Sequence, residues 1–142
     1  VNRSIRAAQP TDLEVVLAID PHANHPERRA FLERNLSAGT CWIMLEDQSV
    51  RGFVVLEPGR FFGLDFVSLL CVGESSRRSG VGTALMGHCE TICHTPRLFS
   101  STNLSNAPMH AMFSKLGFRV SGMVNDLDPG DPEVFYCKIL RS

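Results

Sequence analysis

The densest chemical signal in the chain is the run Val72-Gly73-Glu74-Ser75-Ser76-Arg77-Arg78-Ser79-Gly80-Val81-Gly82. An apolar stretch ends there, a turn rich in Gly and Ser follows, and an amphipathic stretch begins. A strand-to-helix junction of this kind presents several backbone N–H groups and the positive end of a helix dipole. Gly80 and Gly82 have no side chain, so an anion can approach the backbone closely. Arg77 and Arg78 add attraction for it. Together these suit a pyrophosphate. Other phosphate loops fit less well: no Lys follows Gly82 as a P-loop requires, and Leu85 stands where a dinucleotide fingerprint needs its third Gly. The plain alternative is a helix start that merely turns tightly.

Two further stretches carry polar groups. Ser100-Ser101-Thr102-Asn103-Leu104-Ser105-Asn106 is unusually polar for the end of a strand. Asn125-Asp126-Leu127-Asp128-Pro129-Gly130-Asp131-Pro132-Glu133 is acidic, and its Asp, Pro and Gly also read as ordinary turn formers. His22, His25 and His110 are candidates for an acceptor site, with surface or packing roles as the alternative. The five Cys are odd in number, and four lie inside apolar runs, where Cys packs as a small hydrophobe. Cys89 and Cys93, flanked by His88 and His94, share one predicted helix, whereas a metal site wants ligands from several elements. No metal is expected.

Length and composition bound the rest. The 142 residues fit a single domain, 1–142, with 44% hydrophobic and 20% charged residues. A net charge of −1 argues against a broad nucleic-acid footprint. No apolar run approaches the roughly 20 residues that span a bilayer, and no leader pattern is read at the start. Cysteine usage points to a reducing, cytoplasmic setting.

These residues need elements to position them. Ser4–Ala8 reads as a short strand, followed by a capping box with Thr11 as N-cap and Glu14 reaching back. Leu13, Val16 and Leu17 give that helix its apolar stripe. Pro26 opens a second helix with Phe31, Leu32 and Leu36 inward, and Gly39 ends it. Cys41–Leu45 and Gly52–Leu56 are strands, and Pro58-Gly59 turns the chain again. Leu64–Val72 is apolar enough to predict a strand covered on both faces. A helix runs from about Val81 to His94, with Pro96 stopping it. Leu98–Thr102 is a strand. Pro108–Leu116 is a helix with Met109, Met112, Phe113 and Leu116 inward, capped by Gly117. Phe118–Val124 and Val134–Leu140 close the chain as a strand pair. The pattern is a mixed α/β sheet domain.

Residues 72–82 resemble motif A of the GNAT (Gcn5-related N-acetyltransferase) superfamily, Arg/Gln-x-x-Gly-x-Gly/Ala, with Arg77, Gly80, Gly82 and the aliphatic Val72 in its places. Asn106–Phe118 resembles the family's motif B, Asn-x-x-Ala-x-x-Phe/Leu-Tyr-x-Lys-x-Gly-Phe. The order of elements over the whole chain is similar too. Ser101–Glu133 is similar to the same stretch of small bacterial members. The resemblance implies a largely antiparallel mixed sheet with a central splay, flanked by helices. It implies acetyl-CoA as cofactor and an amine acceptor, in a monomer or homodimer, with no nucleic-acid or membrane partner. Backbone groups of Leu70, Cys71 and Val72 would pair with the pantetheine arm. Amides of Arg77, Arg78, Ser79, Gly80, Val81, Gly82 and Thr83 would hold the pyrophosphate. Asn106, Met109 and Phe113 would contact the cofactor arm. A backbone N–H near Cys71 or Val72 would face the developing oxyanion.

The sequence departs from the family where protons move. Phe113 stands at the Tyr position of motif B, and Phe66 and Ser101 stand where members often carry a Glu base. Ser68, Ser101 and Tyr136 are the remaining candidates for proton transfer. Asn103, Asp128, Asp131 and Glu133 are candidates for drawing in a cationic amine. The leading expectation is acetyl transfer from acetyl-CoA to a primary amine, a small molecule more than a protein N-terminus or Lys. A non-catalytic acyl-CoA-binding module and a nucleotide-binding domain not using CoA are the competing expectations.

Overall fold

A computed structural model describes residues 2–141. Seven strands hydrogen-bond in the order β1 (Arg3–Ala7), β2 (Cys41–Glu46), β3 (Ser49–Phe61), β4 (Leu64–Val72), β5 (Arg97–Asn103), β7 (Glu133–Ile139) and β6 (Arg119–Val124). β4 and β5 run parallel; β1 with β2, β2 with β3, β5 with β7 and β6 with β7 are antiparallel. Four helices complete the domain: α1 (Leu13–Ile19), α2 (Pro26–Ala38), α3 (Val81–Ile92) and α4 (Ala107–Lys115). The mixed α/β class and the order of elements agree with the sequence reading. Among the described residues no helix is long and apolar enough to cross a membrane.

The chain divides into two compact units. The first comprises residues up to Leu56 together with Leu69–Thr91. Its core is built from Val16 and Leu17 of α1, Leu32 and Leu36 of α2, and Cys41, Ile43, Phe53, Val55 and Cys71 from the strands. Val81, Leu85, Met86 and Cys89 bury one face of α3. The second unit comprises Glu57–Ser68 together with residues from Ile92 onward. Leu98, Ser100 and Thr102 of β5 and Val134 and Tyr136 of β7 are buried, as are Phe113 and Phe118. β6 is exposed along its whole length.

Four local expectations are corrected. The capping box at Thr11 does not form. A 3-10 turn over Pro10–Asp12 precedes α1, and the Asp12 carboxylate accepts from the Gln9 N–H at 2.8 Å and from Arg6 at 2.9 Å. Glu14 instead accepts from Arg29. Pro58-Gly59 does not end a strand either. β3 runs through it to Phe61, and the chain reverses at Phe62-Gly63, both with positive φ. The Gly59 N–H donates to the buried Asp65 carboxylate at 2.9 Å, and Gly59 takes a left-handed φ of 65° within the strand. β4 is not covered on both faces: Asp65, Val67 and Cys71 are buried, while Leu64, Phe66, Ser68, Leu70 and Val72 are half-buried. α3 stops at Ile92, before Pro96, where Asp65 also accepts the His94 N–H at 2.8 Å.

Candidate functional site

In the first unit, the Gly-rich turn is exposed from Arg77 to Gly80. Gly80 has φ +86° and open space around its missing side chain, the nearest atom to a built Cβ being Arg3 Nη1 at 3.7 Å. Arg78 also takes a left-handed φ of 66°, a conformation that costs a non-glycine residue about 1–2 kcal/mol. The Gly80 carbonyl accepts from the Ala84 N–H at 3.0 Å, so it closes the first turn of α3. The N–H groups of Val81, Gly82 and Thr83 then lie in the first turn, where no helical acceptor precedes them. Two bonds brace the turn: Ser79 Oγ donates to the Ser76 carbonyl, and Arg3 Nη2 donates to the Ser79 carbonyl at 2.8 Å. Arg3 is itself held by Glu46 at 2.8 Å.

β4 adjoins this turn in the chain. Leu70 and Val72 are half-buried and Cys71 is buried. Burial pushes the Cys71 thiol up to about 12, and the Cys41 thiol likewise. Gly52 of β3 makes room here. A Cβ at that position would come within 2.9 Å of the Cys71 carbonyl oxygen, 3.0 Å of Val81 Cγ1 and 3.2 Å of Leu85 Cδ1. Gly52 and Arg3 were not singled out as site residues in the sequence. A Gly opening an apolar strand run is the signal that marks close backbone approach.

In the second unit, Asn106 caps α4. Its Oδ1 accepts from the Met109 N–H at 3.3 Å and its Nδ2 donates to Thr102 Oγ1 at 3.0 Å. Phe113 has no exposed surface and stacks on Tyr136 with ring centroids 4.3 Å apart. The Tyr136 hydroxyl lies 2.6 Å from His110 Nδ1. His110 Nε2 faces the carbonyls of Asn103 and Leu104 at 3.1 and 3.0 Å. Two acceptors require a proton on Nε2, so in the neutral ring Nδ1 accepts and Tyr136 donates. The hydroxyl proton of the lone Tyr is thereby committed to His110, which ties α4 to β7.

The acidic loop is tied down as well. Asn103 donates to Asp128 at 2.8 Å, and Asp131 accepts from both the N–H and the hydroxyl of Ser105. Two of its acids, Asp128 and Asp131, thus hold the loop to Asn103 at the end of β5 and to Ser105 just after it.

The remaining polar candidates converge on one face of the second unit. The register pairs Phe66 with Phe99 and Ser101 with Phe135, which puts those side chains on a common side. Ser101 Oγ donates to Glu133 at 2.6 Å, and Ser68 Oγ donates to Glu57. Each serine that stood without a base in the sequence thus carries a carboxylate from the neighbouring strand. Glu57 also has Arg60 at 3.9 Å, while no cation lies within 4 Å of Glu133 among the described residues. Phe61 lies over the same face: its ring is 4.9 Å from Phe99, 5.3 Å from Phe66 and 5.4 Å from Phe135. β4 and β5 share three register pairs, Asp65 to Val67 with Leu98 to Ser100, beyond which Ser68 and Ser101 follow on their own strands. Glu57 was missed in the sequence because its role depends on which strand lies beside it.

Residues 6–118 match the profile of the "Acetyltransferase (GNAT) family". Among solved structures, the chain is similar to a GNAT-family acetyltransferase from Bacillus cereus, with 33% identity, 98% of each chain covered and a TM-score of 0.89. It shares its fold with the ribosomal-protein-S18-alanine N-acetyltransferase of Escherichia coli (16% identity, 99% and 96% covered, TM-score 0.85). It also shares it with yncA of Salmonella typhimurium, solved with its cofactor acetyl-CoA (18% identity, 99% and 95% covered, TM-score 0.76). No protein of curated function matches.

Proposed function

The chain belongs to the acetyltransferase (GNAT) family, and from that premise we propose that it transfers acetyl from acetyl-CoA to the primary amine of a small molecule by direct attack. The Arg77–Gly82 turn fits the donor's pyrophosphate. It offers exposed arginines, first-turn N–H groups and a Gly80 whose missing side chain leaves the backbone open. Leu70, Cys71 and Val72 are read as the backbone rail for the pantetheine arm, with Thr83, Asn106 and Met109 completing the contacts. Asn106 retains one N–H and one lone pair beyond its capping bonds. Phe113 and Tyr136 are assigned to packing, which leaves the donor face to their neighbours on α4.

Acetyl-CoA supplies an activated acetyl group, whose C–S bond breaks as the amine's N–C bond forms. The protein must remove a proton from the amine, because alkyl ammonium groups titrate near 10. The observation that carries the reading is the Ser101–Glu133 pair. Ser101 Oγ has lone pairs to accept an ammonium proton while its own proton passes to Glu133, which returns it to water. Ser68–Glu57 is a second such pair, with its charge partly offset by Arg60. A Cys71 thiol held near 12 is protonated at neutral pH and is no nucleophile, which favours direct transfer over an acyl-cysteine route.

Glu133→Gln tests this. Thiol release with saturating acetyl-CoA should fall by about 10²–10⁴-fold at pH 7 and recover in part at high pH, where free amine is plentiful. Acetyl-CoA affinity should be retained. Equal rates and equal pH profiles would remove Glu133 from the mechanism.

A further inference from the structure

We infer that the acceptor is an arylalkyl amine, a flat aromatic group carrying a primary ammonium two or three carbons away. This rests on the acetyl-transfer reading and names the substrate class of the same site. Phe61, Phe66, Phe99 and Phe135 form one aromatic surface, and none of the four is buried. They come from four consecutive members of the sheet order, so the rings are gathered by strand pairing and not by one hydrophobic run. Four partly exposed aromatic rings gathered about Phe61, on a face that also holds two Ser–Glu pairs, offer more than a core requires.

The charge at the edge of that surface fixes the other end of the ligand. Glu133 and Phe135 are two residues apart on β7, so both project to the same side about 6–7 Å apart. Glu133 has a hydroxyl donor in Ser101 and, among the described residues, no cation. Ser68 and Glu57 repeat the arrangement on the β4 side of the rings. A ligand that lays an aromatic ring against the phenylalanines and sets an ammonium at Ser101–Glu133 satisfies both features at once. A polyamine leaves the rings without a partner, and a neutral aromatic leaves the carboxylate without one.

The test compares 2-phenylethylamine with n-butylamine, spermidine and a dipeptide with a free N-terminus, using thiol release from acetyl-CoA. We expect kcat/KM for 2-phenylethylamine to exceed that of each of the others by at least about tenfold, the worth of one aromatic contact. Phe135→Leu should shrink that ratio toward one while the KM for acetyl-CoA stays put, and its melting temperature checks the fold. Because the wild-type ratio needs no variant, it decides the matter even if Phe135→Leu unfolds. Turnover of n-butylamine, spermidine or the dipeptide as fast as 2-phenylethylamine would overturn the aromatic assignment and leave acetyl transfer standing. Acetyl-CoA binding with no turnover of any amine would overturn the transfer reading itself.

Discussion

Gly52→Ala is a one-carbon change that should weaken the donor site from beneath. The added Cβ meets the Cys71 carbonyl oxygen at 2.9 Å, and no rotamer of an alanine can avoid a backbone atom. Its other neighbours are Val81 Cγ1 at 3.0 Å and Leu85 Cδ1 at 3.2 Å. Val81 is β-branched and stiff, and it opens α3 immediately after the Gly-rich turn. Overpacking of this kind costs about 1–3 kcal/mol. The loss of glycine's freedom in the unfolded chain offsets about 0.4–1 kcal/mol of it. The net is a destabilisation of roughly 0.5–2 kcal/mol. For 142 residues each kcal/mol moves Tm by about 3–4 °C, so Tm should fall by about 2–8 °C. The displaced groups are the Cys71 carbonyl and the start of α3, so acetyl-CoA affinity should fall as well. Thermal melts with and without acetyl-CoA read both effects, since a ligand that binds only the folded state raises Tm by an amount that grows with the logarithm of its affinity. An unchanged Tm together with an unchanged acetyl-CoA-induced shift would refute the reasoning that Gly52 sets the spacing of β4 and α3.

Three more outcomes are expected. Cys71→Ala should keep its maximal turnover within about threefold, because a thiol held near 12 has no nucleophilic part to play; loss of turnover with acetyl-CoA binding intact would revive an acyl-cysteine route. The lone Trp42 lies 4.4 Å from His88, whose pKa burial lowers. The unfolded chain therefore takes up that proton first, and stability should decline as pH falls below the usual histidine value of about 6.5. Denaturant melts followed by Trp42 fluorescence at pH 7.5 and 5.5 measure this, and His88→Phe should flatten the difference. Arg3→Ala frees the Ser79 carbonyl, so acetyl-CoA KM should rise about three- to tenfold while amine KM holds, because a charge-assisted bond is worth about 1.5–3 kcal/mol before solvent takes its share. Equal rises in both KM values would mean that Arg3 supports the fold at large and not the turn.

The Gly-rich turn and the cap of α4 were legible because they are local in sequence. The turn after β4 and the cap of α4 each depend on residues close together in the chain, and Arg77, Gly80 and Asn106 stand where their neighbours require them. The elements came within a few residues of their observed bounds for the same reason, since periodicity is a local property. Local rules failed where a distant group intervened. Asp65 binds the Gly59 N–H, and β3 continues through a Pro-Gly pair that reads as a turn. Arg6 and the Gln9 N–H take the Asp12 carboxylate and displace the expected cap at Thr11. Ser68, Ser101 and Glu133 were named singly from the sequence, but their pairing and the part of Glu57 were not legible. Ser68 with Glu57 and Ser101 with Glu133 are separated by 11 and 32 positions, and only strand register brings them together. Phe113 suggested a missing acid, but the carboxylates that pair with the two serines lie on β3 and β7.

Transfer of an acetyl group from acetyl-CoA to an amine is measured most directly by incubating the wild-type protein with acetyl-CoA and 2-phenylethylamine. Free thiol and N-acetylated product are followed together, by a thiol reagent and mass spectrometry. Both should accumulate in equal amounts over many turnovers, and neither should form when the amine is omitted. Saturable binding of acetyl-CoA with no amide formed from this or any other primary amine would contradict acetyl transfer, and would make the chain a binding module.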